Sequence, residues 1–262
     1  MVTASFRFYE RLNDFLAPAR RQRDFSAACA RDATTKHMIE ALGVPHTEVD
    51  LLLVNGEPAG LDRILRDGDR VTAYPRFLSL DLGPLPCLGE RLSQAPRFVA
   101  DSHLGALARL LRMAGFDTLY RNDFGDREIA SLAAAEDRIL LTRDRELLKL
   151  RSVGRGCYLH ALKPAQQFRE LAERLDFAGW LRPFSLCLEC NAALRAVDKA
   201  SVAEALPPSV KAGQDQFTRC DRCGRVYWPG SHWRRMRQLL DRLLDGEEPA
   251  AGSRTASFCR NP

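Results

Sequence analysis

The chain has 262 residues, of which 45% are hydrophobic and 28% are charged, and its formal net charge at pH 7 is +5. This composition is ordinary for folded protein, so it excludes a disordered or fibrous chain, and the length predicts two or three domains. No segment approaches the roughly 18 consecutive apolar residues of a membrane span, and Met1 to Arg20 lacks a basic segment followed by an apolar run, so we expect a cytoplasmic protein without a membrane partner.

Residues 1–80 predict a small mixed α/β domain. Its opening segment alternates apolar and polar residues, which is typical of a strand with one buried face. The alternating apolar residues are Val2, Ala4, Phe6 and Phe8. Further strands are predicted at 25–30, 50–54 and 70–74, with a helix at 34–42. The order strand, strand, helix, strand, strand resembles the ubiquitin-like β-grasp of small sulfur-carrier proteins.

Small sulfur carriers act through a free C-terminal Gly-Gly. The equivalent end of this domain, Ala73 to Phe77, lacks that pair and continues into more chain. Sulfur carriage would therefore require proteolytic release of a Gly-Gly end. We expect a docking role instead, with a protein partner for the N-terminal domain.

Residues 81–96 contain three prolines and two glycines without sustained periodicity, which predicts a linker. From residue 97 to 178, strands alternate with helices. The predicted strands are 97–100, 116–120, 138–142 and 157–160, and the predicted helices are 103–114, 126–136, 145–150 and 164–174. Such alternation indicates a parallel sheet covered by helices.

Three aspartates follow the predicted strands of this domain. Asp101 directly follows the first strand, Asp144 follows the third after one residue, and Asp126 begins the helix after the second. Ligands of parallel sheets bind at the carboxyl ends of the strands, where these acids would converge. Converging carboxylates need a cation, and oxygen ligands favour magnesium or manganese, which suits phosphodiester hydrolysis. The alternative is that each aspartate caps a helix N-terminus.

Residues 179–245 carry two Cys-x-x-Cys pairs separated by 29 residues, Cys187 with Cys190 and Cys220 with Cys223. Four thiolates close a tetrahedral coordination sphere, which predicts a structural zinc site. Redox-active pairs and an iron–sulfur cluster are the alternatives. A final helix is predicted at 231–244, and residues 246–262 predict a disordered tail.

Only five of the 39 basic residues are lysine, and arginine suits bidentate phosphate contacts. Arg109 and Arg112 lie one helical turn apart, and Arg143 precedes Asp144. Near the C-terminus, aromatic residues accompany arginines in a short span. These residues are candidate RNA contacts: Arg109, Arg112, Arg143, Arg234, Arg235 and Arg237. The alternative for each is a solvated surface charge.

The segments FVADSHLGALARLLRMAGFDT, DREIA and RILLTRDREL resemble the Mut-seven-C RNase family. In that PIN-like nuclease group, a compact α/β domain precedes a zinc ribbon and often follows a ubiquitin-like domain. The resemblance covers 97–240 and implies that Asp101, Asp126 and Asp144 bind the catalytic metal. Asp123 lies close enough to Asp126 to replace it.

These observations predict an α/β protein made of a ubiquitin-like domain, a PIN-like nuclease domain and a zinc ribbon with a terminal helix. The resemblance implies a divalent-metal-dependent ribonuclease that hydrolyses RNA phosphodiester bonds. The alternative is a non-catalytic module that binds RNA or associates with a ribosome or tRNA.

Overall fold

This computed structural model describes residues 1–76, 88 and 92–244. The chain divides into two compact units. The first unit contains Met1–Gly105, Leu119–His160 and Arg174–Asp176, and the second contains the intervening segments and the C-terminal part. The predicted linker falls largely outside the described residues, and the predicted tail falls wholly outside them.

The N-terminal part of the first unit is a five-stranded mixed sheet with one helix. Its elements are β1 (Val2–Phe8), β2 (Phe25–Cys29), α1 (Thr35–Ala41), β3 (Leu51–Val54), β4 (Glu57–Pro58) and β5 (Arg70–Tyr74). The strand order is β2-β1-β5-β3-β4, with β1 antiparallel to β2 and parallel to β5. Ala4, Phe6 and Phe8 are buried in its core, as the alternation predicts. The ubiquitin-like β-grasp prediction is confirmed.

Two local features fix this domain's helix and one of its hairpins. The Thr34 hydroxyl accepts a hydrogen bond from His37 N at 3.2 Å and caps α1. Asn55 and Gly56 both have positive φ, 56° and 89°, which is the geometry of a tight two-residue hairpin turn between β3 and β4.

The central part of the chain forms a four-stranded sheet. Its elements are β6 (Phe98–Ala100), α2 (Gly105–Ala114), β7 (Thr118–Tyr120), α3 (Asp126–Ala135), β8 (Ile139–Thr142), α4 (Arg145–Leu148), β9 (Gly156–Tyr158) and α5 (Pro164–Leu175). The order is β7-β6-β8-β9, and the pairs β6–β8 and β8–β9 are parallel. The chain moves from β6 to β7 on one side and then to β8 on the other. The strand order therefore switches at β6, next to β8.

The core beside this sheet lies within the first unit. Val99 of β6 and Leu140 of β8 pack with Ile129 of α3 and with Leu147 of α4. All residues of β6 and β8 are buried, as expected for central strands of a parallel sheet.

A buried ion pair joins the ubiquitin-like domain to β9 within the first unit. Glu48 follows α1 in a 3-10 helix, and its side chain is 0% exposed. One carboxylate oxygen accepts a hydrogen bond from Tyr158 N, and the other accepts one from Arg174 Nη2, each at 2.6 Å. The two sheets of this unit are therefore connected by a satisfied, desolvated charge pair.

The C-terminal part of the second unit contains a three-stranded antiparallel sheet and short helices. Its elements are β10 (Leu194–Val197), α6 (Lys199–Val202), α7 (Pro208–Gly213), β11 (Phe217–Cys220), β12 (Val226–Tyr227) and α8 (Ser231–Leu244). The strand order is β10-β11-β12. Val202, Leu206 and Phe217 form a small core. None of the helices described combines the length and apolarity that crossing a membrane requires.

Candidate active site and metal centre

Asp101 and Asp144 lie at the carboxyl ends of the neighbouring strands β6 and β8. The parallel register pairs Ala100 with Leu141, so the residue after β6 lies beside the end of β8. Accordingly, Asp101 N donates to Leu141 O at 3.0 Å. Both acids therefore lie at the switch in strand order, where open parallel sheets bind their ligands.

The buried hydroxyl of Thr142 connects these two positions. Thr142 Oγ1 donates to Asp101 Oδ2 at 2.7 Å and accepts a hydrogen bond from Asp144 N at 2.9 Å. Thr142 is 0% exposed, so its hydroxyl is satisfied entirely within the protein. Thr142 was not predicted as a site residue, although a hydroxyl at the end of a buried strand was the signal that could have identified it.

Both aspartates also cap short helices, which was the alternative interpretation. Asp101 Oδ1 accepts hydrogen bonds from Ser102 N at 2.5 Å and Ser102 Oγ at 3.1 Å. Asp144 Oδ1 accepts one from Glu146 N at 2.8 Å. Asp101 is 9% exposed, whereas Asp144 is exposed to solvent. A capping carboxylate keeps further lone pairs, so capping and cation binding are compatible.

Asp126 is the first residue of α3 and is exposed. The two neighbouring acids are engaged by Arg121, which donates to Asp123 Oδ1 and to Glu128 Oε1, each at 2.9 Å. The hydrogen bond from Arg121 holds the pKa of Asp123 below its usual value. Among the described residues, Asp101, Asp126 and Asp144 do not form a group close enough to share one ion.

Arg112 does not face solvent, so its predicted contact with RNA is wrong. The side chain is 4% exposed, and Arg112 Nε donates to Thr118 O at 2.9 Å. Arg112 Nη1 donates to Leu188 O at 3.0 Å and to Glu189 O at 2.7 Å. Burial lowers the pKa of Arg112. The helical spacing correctly places Arg112 on the same face of α2 as Arg109. It does not reveal that Leu188 and Glu189 cover this part of the face.

The other arginines proposed as RNA contacts are at least partly exposed. Arg109 is half-buried and lies 3.0 Å from Glu189, and Arg237 pairs with Asp241 at 3.0 Å. Arg143 is exposed beside Asp144, and α8 presents Arg234 and Arg235 to solvent. Their contacts with RNA stay predictions.

The four cysteines converge as the two Cys-x-x-Cys pairs predict. Their Sγ atoms all lie within 4.8 Å of one another, with Cys190 and Cys220 at 3.3 Å and Cys187 and Cys223 at 3.6 Å. Tetrahedral zinc with Zn–S bonds of about 2.3 Å requires sulfur atoms about 3.8 Å apart. The cluster could therefore hold a structural metal such as zinc.

The two pairs form matching turns. Asn191 N donates to Cys187 O at 3.0 Å, and Gly224 N donates to Cys220 O at 2.9 Å. Gly224 has a φ of 74°, a left-handed conformation that favours glycine. Each turn thus brings two thiols to the same side of its loop.

Tyr227 contacts the cluster from β12, with its hydroxyl 3.2 Å from Cys187 Sγ. Burial alone would raise the pKa of Cys187, but the hydrogen bonds from Tyr227 and from the backbone of Cys190 and Glu189 lower it to about 7. Burial raises the pKa of Cys190 to about 12. Tyr227 therefore stabilises one thiolate, a role that the cysteine spacing did not reveal.

The comparisons with known proteins match the N-terminal domain and the rest of the chain separately. Residues 1–81 match the family model Mut7-C ubiquitin. Two crystal structures of small archaeal modifier protein 1 from Haloferax volcanii are similar to the N-terminal part. They share 20% and 18% identity, cover 29% and 30% of this chain and 100% and 99% of their own, and have TM-scores of 0.25 and 0.24. The comparison with curated proteins gave no match.

Residues 96–240 match the family model Mut7-C RNAse domain. This segment is more than half of the 262-residue chain. It contains the parallel sheet, the three aspartates and the four cysteines. The chain therefore belongs to the Mut7-C RNAse domain family.

Proposed function

We propose that this protein is a divalent-metal-dependent ribonuclease that hydrolyses RNA phosphodiester bonds. Family membership supports an RNase-related function with RNA as the substrate. The metal dependence and the hydrolytic chemistry are the proposal. The observation that carries it is the hydrogen-bonded arrangement of Asp101, Thr142 and Asp144 at the switch in strand order.

The proposed direct metal ligands are Asp101 and Asp144, and Asp126, at the start of α3, would act through a water that the ion retains. Magnesium and manganese retain several waters, so one or two carboxylates can hold such an ion beside an RNA phosphate. The bound cation would polarise the phosphate and lower the pKa of an attacking water. Thr142 and the two helix caps fix the carboxylates before substrate arrives, and Arg143 lies next to Asp144 for phosphate contact.

The cysteine cluster is proposed to bind one structural zinc ion. Four thiolates leave no open coordination position, so this metal would stabilise the ribbon and take no part in cleavage. The core of this segment is small, which is consistent with a metal-stabilised fold. Arg234, Arg235 and Arg237 of α8 are the proposed RNA contacts of this ribbon.

The test is the variant Asp144→Asn, assayed on labelled RNA with manganese added and with manganese omitted. Asparagine caps helices about as well as aspartate, so the fold should be retained while the charge is lost. We expect a cleavage rate lower by about 100-fold or more, because several kcal/mol of cation-derived stabilisation is lost. A variant that cleaves as fast as the wild type would contradict the proposal.

The matched control is Asp137→Asn. Asp137 is an exposed acid before β8, at the opposite end of the strand from Asp144, and lies 3.2 Å from Arg155. Its φ of 48° is tolerated by asparagine. Cleavage by this variant should equal that of the wild type.

A second candidate is a module that binds RNA without cutting it. The capping roles of Asp101 and Asp144 favour it, because these hydrogen bonds explain both acids without a cation. In that case RNA affinity would fall steeply with salt. Manganese would give no new RNA products, and Asp144→Asn would leave RNA binding unchanged.

A further inference from the structure

The first unit carries an exposed arginine loop in the ubiquitin-like domain. Arg20, Arg21 and Arg23 fall within four residues between β1 and β2, and all three are exposed. Asp24, the nearest acid in sequence, pairs with arginines of the neighbouring strands, 4.0 Å from Arg7 Nε and 3.5 Å from Arg70 Nη2.

The loop is held in one conformation by Asn13, which is 7% exposed. Asn13 Nδ2 donates to Phe8 O at 2.9 Å and to Glu10 O at 3.0 Å, and Asn13 Oδ1 accepts a hydrogen bond from Gln22 N at 2.6 Å. Gln22 has a φ of 55°, a conformation that non-glycine residues adopt only at a cost. The three exposed arginines thus lie on a fixed, strained turn, where the Arg20 guanidinium is 5.1 Å from the centre of the Phe25 ring.

The residues just before the arginine loop contact the rim, which is the edge of the four-stranded sheet at the carboxyl ends of its strands, where the proposed metal ligands lie. Phe15 packs against Tyr158 and His160, with ring centroids 5.2 Å and 5.4 Å away. Arg145, the residue after Asp144, donates from Nη1 to Phe15 O at 3.3 Å. On the adjacent carbonyl, Arg21 Nε donates to Leu16 O at 3.0 Å. Neighbouring carbonyls therefore connect the arginine loop to the start of α4.

We propose that the arginine loop, Arg20 to Arg23, binds the phosphate backbone of single-stranded RNA and guides it toward the rim at Asp101 and Asp144. This inference rests on the proposed ribonuclease function. Arginine on a preorganised loop suits phosphate, since less conformational freedom is lost on binding. Arg143, exposed between Thr142 and Asp144, would contact the next phosphates along the strand. The ubiquitin-like domain is then part of the substrate-binding surface.

The test compares Arg20→Glu/Arg23→Glu with Arg31→Glu/Arg151→Glu in the full chain. Arg31 follows β2, whereas Arg20 and Arg23 precede it, so Arg31 lies at the other end of that strand. Arg151 is exposed in the turn before β9, at the strand end opposite the rim. Both double variants change the net charge equally, so a difference between them reports position rather than total charge.

The measurement is fluorescence anisotropy with a short labelled oligouridine over a series of salt concentrations, without added divalent ions. We expect Arg20→Glu/Arg23→Glu to weaken binding roughly tenfold and to reduce the slope of log affinity against log salt by about 1.4, for two lost phosphate contacts. The control should bind within about twofold of the wild type. The neutral variant Arg20→Gln/Arg23→Gln, which avoids new repulsion, should show a smaller loss in the same direction.

Equal RNA affinity of wild type and Arg20→Glu/Arg23→Glu would overturn the inference, as expected if the loop binds an acidic protein instead. Equal losses in both double variants would also overturn it, because total charge would then explain the effect. Cleavage that depends on Asp144 but not on Arg20 and Arg23 would leave the ribonuclease proposal intact. If only Arg20→Glu/Arg23→Glu weakens RNA binding and no cleavage is detected, the RNA-binding role of the loop is supported. The ribonuclease proposal is then contradicted.

Discussion

At the scale of single residues, Thr142 determines how the two acids of the rim are held. Its hydroxyl is buried and makes one hydrogen bond as donor and one as acceptor. The donor bond fixes Asp101 Oδ2, and the acceptor bond fixes the backbone of Asp144. Thr142, at the end of a buried strand, therefore positions both acids.

Thr142→Val retains the shape of the side chain and removes the hydroxyl. We expect the free energy of unfolding to fall by about 1–3 kcal/mol, because Asp101 Oδ2 loses a donor and Asp144 N loses its acceptor. RNA cleavage should also slow, since the carboxylates are less well positioned. Urea unfolding and single-turnover cleavage would measure both effects.

Thr142→Ser keeps the hydroxyl and should retain most of the activity, at the expense of a small packing defect. If the valine and serine variants were equally active, the hydroxyl would have no positioning role.

The location of Asp101 and Asp144 could be predicted from the sequence, because Asp101 directly follows a short apolar run and Asp144 follows another after a single residue beyond the predicted strand. Their mutual distance could not, since it depends on the register between β6 and β8. The burial of Arg112 was also beyond the sequence, because the carbonyls that it contacts come from Leu188 and Glu189, far along the chain. Local sequence patterns therefore identify helix faces and strand ends. Contacts with residues that are distant in the sequence can be known only from the folded structure.

At the scale of elements, α2 supports the first cysteine turn within the second unit. Arg112 near the end of α2 donates to the carbonyls of Leu188 and Glu189, which lie between Cys187 and Cys190. Asn191 adds contacts to the segment after α2, since its side chain accepts from Thr118 N at 2.9 Å and donates to Asp117 Oδ1 at 2.5 Å. The turn that presents two thiols is thus fixed by the helix and the chain that follows it.

Arg112→Met should lower zinc affinity about 10–100-fold, because the residues that orient metal ligands contribute on that scale. The affinity would be measured by competition with a chromogenic chelator. Arg109→Gln is the matched control, since Arg109 lies one turn away in a half-exposed pair with Glu189 and should change the affinity little. Equal affinities of wild type and Arg112→Met would show that the turn is rigid without this arginine.

The helices and strands themselves were largely predictable from periodicity. The bounds of α8, Ser231–Leu244, match the prediction, because a clear apolar face extends along the whole helix. The predicted strand at 116–120 begins later, at Thr118. Phe116 N bonds to Leu111 O at 2.9 Å, and Gly115 has a φ of 97°, so both residues belong to the C-terminal cap of α2. An apolar residue that closes a helix looks like a strand residue in the sequence.

At the scale of the whole molecule, the first unit combines two sheets that are far apart in sequence. Glu48 and Arg174 form their ion pair across 126 positions, and both side chains are buried. His46 adds a second link from the same 3-10 helix, with Nε2 2.9 Å from Val153 O. The ubiquitin-like domain is therefore an integral part of this unit.

Glu48→Gln and Arg174→Met should each lower the free energy of unfolding by about 3–5 kcal/mol, because each leaves a buried charge uncompensated. The double variant should lose less than the sum of the two, which is the sign of direct coupling. Urea unfolding followed by circular dichroism would measure the three variants. Additive losses would mean that the two side chains act independently.

The carboxylate of Glu48 also accepts a hydrogen bond from the backbone amide of Tyr158, which lies on the outermost strand of the four-stranded sheet, β9. An outermost strand with unpaired amides is a template on which another chain can extend the sheet. Here an acidic side chain from the preceding domain fills that position. The N-terminal domain therefore covers this amide of the outermost strand, and we expect a chain cut between the two domains to aggregate more readily through the exposed strand.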